Sequence, residues 1–430
     1  MSSLLQLSDV ANRLPNEDAE IFRDRVADLL NRKSRGFPGA QPVSFSQKHY
    51  QELQRADYYL CEKTDGIRCL LYLTYVVNQD GSRNEACFLI DRKNDFYHID
   101  NPHFHFPLPD SKDPSSYHVE TLLDGELVLD VYPSRPSIKR YLVFDCLALD
   151  GQSLLQKTLD KRIGAVKVRV IQPQQALFQK YPQEVEEQPF EVTTKDLQKA
   201  YGIEMMFRDV LPGLPHGNDG LVFTCRTSEY TVGTDRHIIK WKPPAENTID
   251  FRLQVGEFPR LSTNGHGMSN GDADHDDYDY DACPELLLLV NHGKEGHRVF
   301  APLHVTNDEW ESMKSLHQMI DHRIIECYKD AQHRWRYKRE KDGTPRFRDD
   351  KLDANHISTV ESVLESIDDA VSEQDLLRLS AEIRGAWKRR EQAEKQAEAE
   401  QKARWEREED ERKRRAGGSK DGPPAAEAKK

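Results

Sequence analysis

Residues 58 to 73, YYLCEKTDGIRCLLYL, place Lys63 and other polar residues in the middle of a run that otherwise favours β-strands. The aromatic and aliphatic residues at both ends of the run are typical of a half-buried sheet. The Asp65-Gly66 pair between them is a turn signal. The run therefore predicts two strands joined in a hairpin, with Lys63 either solvated or chemically active.

A lysine at this position would do covalent chemistry only as a free amine. Its usual pKa near 10.4 would have to fall to roughly 7 to 8, which burial and neighbouring cations can bring about. The segment IIKWKPP offers such cations, because Lys240 and Lys242 are two residues apart and project from the same face of a predicted strand. Paired lysines on one strand face are also common on solvent-exposed surfaces, so this spacing alone leaves both interpretations open.

The composition predicts a soluble, intracellular protein with more than one domain. The chain has 430 residues, and its hydrophobic share of 37% indicates that part of the length is tail or loop. The seven cysteines form no CxxC motif and leave one unpaired in any scheme of disulfides, which favours a reducing compartment and argues against a zinc cluster. Neither a signal peptide nor a long apolar run is evident, so no membrane association is expected.

The net charge of −13 does not exclude a nucleic-acid partner, because binding to phosphates depends on local basic patches. The acidic residues are concentrated in DADHDDYDYD, residues 272 to 281. Residues 334 to 351, RWRYKREKDGTPRFRDDK, are strongly basic. An RNA partner therefore remains compatible with the acidic total.

The pattern along the chain predicts an α+β fold with two folded domains. An amphipathic helix over residues 15 to 30 precedes many short β runs up to residue 244, interrupted by helical patterns near 158 to 169 and 193 to 206. We expect a large, mainly antiparallel domain over residues 1 to 244. Residues 245 to 352 predict a second β domain, a small closed barrel of the OB kind.

Three further segments complete the predicted organisation. Residues 262 to 284 are rich in Gly, Asn, Ser and Asp, which predicts a disordered acidic insertion in the second domain. Residues 353 to 387 have a helical pattern. Residues 388 to 430 carry mixed charge and almost no core-forming side chain, which predicts a disordered tail or a solvated helix.

The run KTDGIR, residues 63 to 68, matches the KxDGxR motif of covalent nucleotidyltransferases, the superfamily of polynucleotide ligases and mRNA capping guanylyltransferases. KxDG alone is only moderately specific. The resemblance gains weight because further motifs of the superfamily follow in order: FLIDRKNDFYHI (88 to 99), LLDGELVLD (122 to 130), YLVFDCLALDG (141 to 151), HGNDGLVFT (216 to 224), IIKWKPPAENTIDF (238 to 251) and RFRDDK (346 to 351). Together they cover residues 45 to 360.

Within the superfamily, the motif wording is most similar to the fungal monofunctional mRNA guanylyltransferases. This resemblance implies a nucleotidyltransferase domain built on antiparallel sheets, followed by an OB-fold domain. It also implies that Lys63 attacks the α-phosphate of GTP, holds GMP as a lysyl phosphoramidate, and passes it to the 5′-diphosphate end of nascent RNA. Mg²⁺ or Mn²⁺ is the implied cofactor.

The resemblance assigns roles around the nucleotide. Arg68 would contact the nucleotide or the RNA end phosphate, and Arg92 the ribose, with Asp91 orienting Arg92. Glu126 and Asp219 fit carboxylates that hold the metal ion or a bound water beside the α-phosphate. The purine would stack on an aromatic residue of the YLVFDC motif.

The aromatic residue of the YLVFDC motif on which the purine would stack is Phe144. The remaining candidate site residues are lysines and arginines. Lys240 and Lys242 would contact the phosphates and stabilise the charge that develops at phosphorus. Arg348 and Lys351 would hold the leaving pyrophosphate, although spacing alone leaves Arg346 as an alternative to Arg348. Because these groups lie on two domains, the cleft is expected to close for nucleotide attack and to open afterwards.

The resemblance also implies partners and a location. The sequence has no HCxxxxxR loop and no long acidic tunnel segment, so a separate RNA 5′-triphosphatase subunit is expected. Family membership implies contact with the phosphorylated C-terminal tail of RNA polymerase II, and the nucleus as the site of action. Two alternatives remain, an ATP-dependent polynucleotide ligase and a non-catalytic scaffold.

Overall fold

The computed structural model describes residues 5–109, 111, 113, 115–260, 278–330, 332–340 and 342–417. Its strands are β1 Asn12–Arg13, β2 Ala40–Ser44, β3 Tyr58–Thr64, β4 Ile67–Val77, β5 Arg83–Ile90, β6 Phe96–His98, β7 Thr121–Tyr132, β8 Arg135–Leu149, β9 Gln152–Ser153, β10 Glu191–Thr194, β11 Gln198–Lys199, β12 Asn218–Cys225, β13 Gly233–Trp241, β14 Thr248–Val255, β15 Leu286–Asn291, β16 His297–Pro302, β17 Ile324–Lys329 and β18 Trp335–Tyr337. The α-helices are α1 Asn16–Leu29, α2 His49–Arg55, α3 Leu159–Val166, α4 Gln172–Lys180, α5 Gln183–Glu186, α6 Ile203–Met205, α7 Asn307–Ser315, α8 Ile357–Asp368 and α9 Glu373–Gly417.

The first two sheets, with α1 to α6, make up what we call the first module. One sheet has the order β1-β6-β5-β4-β7-β8-β10 with β9 beside β8, and the other has the order β11-β3-β12-β13-β2. All pairings in them are antiparallel except β8 with β10 and β2 with β13. The predicted α+β class with mainly antiparallel sheets is therefore confirmed.

The Asp65-Gly66 turn does not close a hairpin, and that prediction was wrong. β3 pairs with β11 and β12 in the second sheet, whereas β4 pairs with β5 and β7 in the first sheet. The two residues therefore carry the chain from one sheet to the other. A turn signal fixes the change in chain direction locally, but the strand partners are decided by long-range packing.

The helical pattern predicted near residues 193 to 206 is also largely wrong. Residues 191 to 194 form the edge strand β10, which pairs in parallel with Arg140 to Val143 of β8. Only short helical turns occupy residues 200 to 213. The three β-branched residues in EVTT favour the extended form, and the open edge of β8 supplies the partner that a local pattern does not reveal.

The third sheet has the order β16-β15-β14-β17-β18 and, with α7 and α8, makes up the second module. All four pairings are antiparallel, and their apolar residues form one cluster with Val360 of α8. A single parallel bridge between Leu303 and Trp335 links the two edges of the sheet. A single bridge is not the continuous strand pairing that would close the sheet into a barrel. The closed OB barrel therefore remains a prediction.

The predicted insertion at 262 to 284 lies mostly outside the described residues. Its last part, residues 278 to 284, contacts the second module: Trp310 Nε1 of α7 donates to the carbonyl oxygen of Asp281 at 3.2 Å, and Tyr278 bridges to Arg260. These contacts anchor the C-terminal end of the insertion.

The C-terminal part of the chain forms two helices where the sequence predicted one helix and a tail. α8 packs on the second module, and α9, 45 residues long, returns to the first module. Leu376, Leu379 and Ile383 of α9 join the core behind the second sheet. From Gln392 to Glu408 the helix is exposed, which agrees with the solvated-helix alternative.

Two further whole-chain features bear on the expected compartment. All seven cysteines are free thiols, and six of them are buried. Among the described residues, no helix combines the length and the apolar content needed to cross a membrane.

The contacts of α9 predict where the chain can be shortened. The chain after Trp387 holds no motif, which predicts that it is dispensable for chemistry, but it contributes contacts: Arg390 donates to Asp57 at 2.7 Å and Arg226 pairs with Glu394 at 2.7 Å. We expect truncation after Glu394 to leave the free energy of unfolding unchanged. Truncation after Trp387 should lower it by about 1 to 3 kcal/mol, because it leaves the buried Asp57 short of a partner. Urea unfolding of the two truncated chains checks this, and equal stabilities would contradict it.

Candidate active site

Three neighbouring strands of the second sheet bring the predicted nucleophile together with a carboxylate and two other lysines. β12 pairs with β3 on one side and with β13 on the other. Lys63 Nζ lies 2.6 Å from Asp219 Oδ1, and Lys242 Nζ lies 2.5 Å from Asp219 Oδ2. Lys240, on β13, completes the group. One carboxylate therefore bridges two ammonium groups, one on β3 and one directly after β13, which are distant in the sequence.

The electrostatics of this group are those of a cationic site. Burial alone would raise the pKa of Asp219, but the hydrogen bonds and charges of Lys242 and Lys63 outweigh it and lower that pKa. Burial, followed by the charges of Lys242, Lys63 and Arg92, lowers the pKa of Lys240. Two cations therefore pair with one ionised carboxylate and further cations lie close to them, an arrangement suited to a polyanionic ligand.

The glycine after Asp219 is required by the packing of the strands. Gly220 has φ +147°, and a Cβ on it would lie 2.0 Å from the carbonyl oxygen of Trp241. The strand register shifts between Asn218 and Leu221, so Asp219 sits in an irregular part of β12. The Asp219-Gly220 pair thus lies within a strand and not at a hairpin turn. The irregular register of β12 at this pair places the Asp219 carboxylate between Lys63 and Lys242.

Glu126, on β7 of the first sheet, is held at both carboxylate oxygens. The Thr64 hydroxyl donates to Oε2, and the Gly66 N–H donates to Oε1 at 3.3 Å. Lys195 Nζ lies 3.9 Å from Oε2 and donates to the Thr64 hydroxyl at 2.7 Å. Glu126 is therefore joined to the strand of Lys63 through the residue that follows the lysine.

Lys195 is a buried cation that sequence reasoning missed. Its side chain is only 4% exposed, and besides Thr64 it pairs with Glu62 at 3.5 Å. Burial alone would lower its pKa, but the charges around it, which include Glu62 and Glu126, raise it. A single lysine in TTKD gives no sequence signal. Lys195 lies where the chain passes from β10 in the first sheet to β11 in the second sheet, and its contacts arise only from that crossing.

Arg68 is fixed by the protein itself. Its guanidinium donates to Asp124 at 3.1 and 2.7 Å and to the carbonyl oxygen of Ala40, and Tyr230 donates to the same carboxylate at 2.6 Å. The guanidinium carbon lies 5.5 Å from the ring centre of Phe144. Phe144 is half-buried between buried neighbours on β8, so its ring remains partly accessible to solvent.

Arg92 and Asp91 bind different partners, and the predicted orienting role of Asp91 stays a prediction. Arg92 donates to the amide oxygen of Gln41 at 3.0 Å. The Asp91 carboxylate accepts backbone N–H groups of Lys93 and Asp95, at 2.9 and 2.8 Å. Asp91 therefore shapes the turn that carries Arg92 and does not contact the guanidinium.

The predicted pyrophosphate cations lie together on the second module. Arg348 pairs with Asp350 at 2.8 Å and with Asp250 at 3.5 Å, and Lys351 pairs with Asp250. Arg346 pairs with Glu340 at 2.9 Å and with Glu326 at 3.7 Å. Arg348 and Lys351 thus share Asp250, which Arg346 does not contact, and these pairs do not involve the lysines of the first module.

Glu126 and Asp219 fit a metal ion by donor chemistry but not as a complete set. Their four oxygens are the hard ligands that Mg²⁺ prefers, and Mg²⁺ is usually bound by one or two carboxylates plus substrate phosphates and water. In the part of the chain that the structure describes, no group of three or more His, Cys, Asp or Glu side chains could hold a metal ion. A metal here would therefore be bound together with the nucleotide phosphates.

A cavity of about 540 Å³ adjoins the buried network of Lys195, with Glu62 and His216 in its wall. His216 Nδ1 lies 2.7 Å from Asp130, and Nε2 lies 3.9 Å from Glu62. Burial alone would lower the pKa of His216, but its interactions with Glu62 and Asp130 raise it. His216 stood within the motif HGNDG, yet no spacing rule indicates its partners, which are distant in sequence.

The raised pKa of His216 predicts a pH-dependent stability. The contribution of the imidazolium is fully present below the unfolded-state pKa of about 6.5 and is lost as pH rises through the folded-state pKa. We therefore expect the melting temperature of His216→Gln to lie furthest below that of the unaltered chain near about pH 6, with the gap shrinking towards about pH 9. His103→Gln, at a more exposed pair with Glu184, is the matched control. A gap that widens with pH would contradict this.

Comparison with known proteins identifies the family of the chain. Residues 8–244 match the model of the mRNA capping enzyme, catalytic domain, and residues 246–377 match that of the mRNA capping enzyme, C-terminal domain. Proteins named mRNA-capping enzyme subunit alpha are similar over most of the chain. The one from Neurospora crassa is 45% identical over 91% of this chain and 96% of its own, and the one from Schizosaccharomyces pombe is 43% identical over 87% of each. The one from Saccharomyces cerevisiae is 35% identical over 87% of this chain and 86% of its own. The chain therefore belongs to the mRNA capping enzyme family.

Proposed function

We propose that this chain, a GTP:mRNA guanylyltransferase of the capping family, uses Lys63 as its covalent nucleophile. The observation that carries the proposal is the group of Lys63, Lys240 and Lys242 around the single carboxylate of Asp219, with Lys63 only 2.6 Å from it. Only the free amine of a lysine can attack phosphorus, and these contacts fix the Lys63 side chain beside the other two lysines. The same cations would attract a triphosphate.

The first half-reaction follows from this arrangement. The free amine of Lys63 attacks the α-phosphorus of GTP, the bond to the β-phosphate oxygen breaks, and pyrophosphate leaves with the electron pair. The proton lost by Lys63 passes to solvent or to a neighbouring carboxylate. Lys240 and Lys242 stabilise the negative charge on the reacting phosphate, and Phe144 provides the ring on which the purine stacks.

The second half-reaction transfers GMP to RNA. An oxygen of the 5′-diphosphate attacks the phosphorus, the bond from phosphorus to Lys63 Nζ breaks, and the amine takes up a proton. Arg92, on the turn shaped by Asp91, is placed to hold the ribose. Arg68 acts through its fixed position beside Phe144, since its hydrogen bonds with Asp124 leave it few donors for a phosphate.

Mg²⁺ or Mn²⁺ would be held by Glu126 and Asp219 together with the nucleotide phosphates. When bound, the ion would neutralise charge on the phosphates and favour departure of pyrophosphate. The chain prepares these ligands by fixing Glu126 through Thr64 and Gly66, and by keeping Asp219 ionised beside two ammonium groups.

The second module would supply Arg348 and Lys351 for the leaving pyrophosphate. We infer a nucleotidyltransferase domain at 1–244 and an OB-type domain at 245–352, a division that the two family matches at 8–244 and 246–377 support. Groups on two domains can meet around one triphosphate only when the cleft closes, and the cleft must reopen to release pyrophosphate and admit RNA.

The partners follow from the reaction. The relatives are alpha subunits, which supports a separate subunit for this chain too, and we propose that it carries the RNA 5′-triphosphatase activity. Because capping acts on nascent RNA, we also propose the phosphorylated tail of RNA polymerase II as a partner and the nucleus as the location.

The covalent intermediate gives the most direct test. With Mg²⁺ and labelled GTP, we expect an acid-labile, alkali-stable GMP adduct on Lys63. Lys63→Arg should abolish it, because arginine keeps its charge and cannot act as the nucleophile. Labelled ATP is the matched control, since a polynucleotide ligase would be labelled by ATP. An adduct that survives in Lys63→Arg would refute the assignment.

The pyrophosphate cations can be tested by separating the two half-reactions. We expect Arg348→Ala and Lys351→Ala to slow adduct formation by roughly ten- to a hundredfold, because they misplace the leaving group. Transfer of GMP from enzyme that is already labelled should be spared. If these residues instead bind RNA, adduct formation survives and transfer fails with a steep dependence on salt.

A further inference from the structure

A single buried carboxylate on the second module contacts both predicted pyrophosphate cations. Asp250 is the third residue of β14, and its side chain is 7% exposed. Its Oδ1 lies 3.5 Å from Arg348 Nη1, and its Oδ2 accepts a hydrogen bond from Lys351 Nζ. Two cations three residues apart in a loop are thereby fixed to one point on a strand.

The backbone ties the same loop to the same residue. The Asp250 N–H donates to the side-chain oxygen of Asn355 at 2.9 Å, and the Asn355 N–H donates to the carbonyl oxygen of Asp250 at 2.8 Å. The loop is also held at its start, where the Arg348 N–H donates to the carbonyl oxygen of Ile324 at 2.7 Å. The position of both cations therefore depends on β14, through Asp250, and on the start of β17, through Ile324.

The carboxylates and the cations at this position depend on one another through their charges. Asp250 stands directly opposite Glu326 on β17, and two like charges on facing strand positions repel each other. Arg348 lies 3.5 Å from Asp250 and 3.9 Å from Glu326, and Arg346 lies 3.7 Å from Glu326, so the two arginines together offset that repulsion. Arg348 is the one of the two that contacts both carboxylates.

The cations keep donors for a ligand while they remain paired. An ammonium group has three N–H donors and a guanidinium has five. Lys351 uses one donor on Asp250, and Arg348 makes only a long contact with it. A pyrophosphate can therefore be bound without displacing Asp250. Asp350, the other partner of Arg348, accepts from Nε and Nη2 at 2.9 and 2.8 Å, but its side chain is 63% exposed, so water can take its place when a ligand binds.

We propose that Asp250 is a positioning residue for the guanylyl-transfer reaction: its carboxylate holds Arg348 and Lys351 in the arrangement that receives the pyrophosphate of GTP. This inference rests on the function proposed above. Asp250 itself would not touch the nucleotide, because it acts through the two cations. It should consequently matter for adduct formation and not for transfer of GMP to RNA.

The test measures both half-reactions on the full chain. Asp250→Asn keeps the shape of the side chain and removes its charge. We expect it to slow formation of the labelled GMP adduct about tenfold, with transfer from enzyme that is already labelled unchanged. Asp250→Glu restores the charge at a shifted position and should recover part of the rate. It also serves as the second variant if Asp250→Asn does not fold.

A double-mutant cycle separates positioning from a structural role. If Asp250 acts through the cations, Asp250→Asn has no further effect in a chain that already carries Arg348→Ala and Lys351→Ala. An equal loss in both backgrounds would overturn the proposal, since the residue would then act on the fold. A faster rate in Asp250→Asn would overturn it too, because the carboxylate would be competing with the nucleotide.

Two further outcomes separate this inference from the proposed function. If Arg348→Ala with Lys351→Ala slows the adduct but Asp250→Asn does not, only the positioning role fails. If the double variant forms the adduct at the normal rate, the pyrophosphate site and the role of Asp250 fail together. Asp349→Asn is the matched control, because Asp349 lies in the same loop and pairs with Arg323, away from both cations. It should leave both half-reactions unchanged.

Discussion

The arrangement of the site depends on one carboxylate placed between two ammonium groups. Lys63 and Lys242 come from strands on either side of β12, and each binds a different oxygen of Asp219. Without that carboxylate, the half-buried lysines would repel each other at short range. The contact in turn requires the irregular register of β12 and the missing side chain at Gly220. A triphosphate would therefore bind to lysines that the fold already holds close together, despite the repulsion between their ammonium groups.

The polar residues inside the strand-like run at 58 to 73 now have a physical explanation. The chain passes there from the second sheet to the first, and contacts between the sheets fix the crossing. Thr64 and Gly66 hold Glu126 on one side, and Arg68 binds the buried Asp124 on the other. The run is therefore a junction between two sheets, with the proposed nucleophile Lys63 on the strand that enters it and Arg68 on the strand that leaves it.

The active-site strand is also supported from behind by the end of the chain. Trp241, which lies between Lys240 and Lys242 in the chain, donates from its indole N–H to the carbonyl oxygen of Val371 at 2.8 Å. Val371 follows α8 of the second module and precedes α9, whose apolar side chains enter the core of the second sheet. Two segments of chain therefore connect the modules, one directly after Lys242 and one at Val371. Motion of the second module would act close to the lysines that bind phosphate.

The sequence by itself determined the family and the α+β class of this protein, while the tertiary structure decided how each candidate group is held. The motif order gave Lys63, Asp219, Lys240 and Lys242 as candidates, and the α+β class followed from the short β runs, because residue types and local periodicity are properties of the chain alone. The pairing of strands is not a property of the local sequence. The predictions of a hairpin at Asp65-Gly66 and of a helix near residue 193 were therefore wrong. Lys195 and Asp250 likewise carry no local signal: each gains its role only where distant strands meet, since burial and long-range charge pairs exist only in the folded chain.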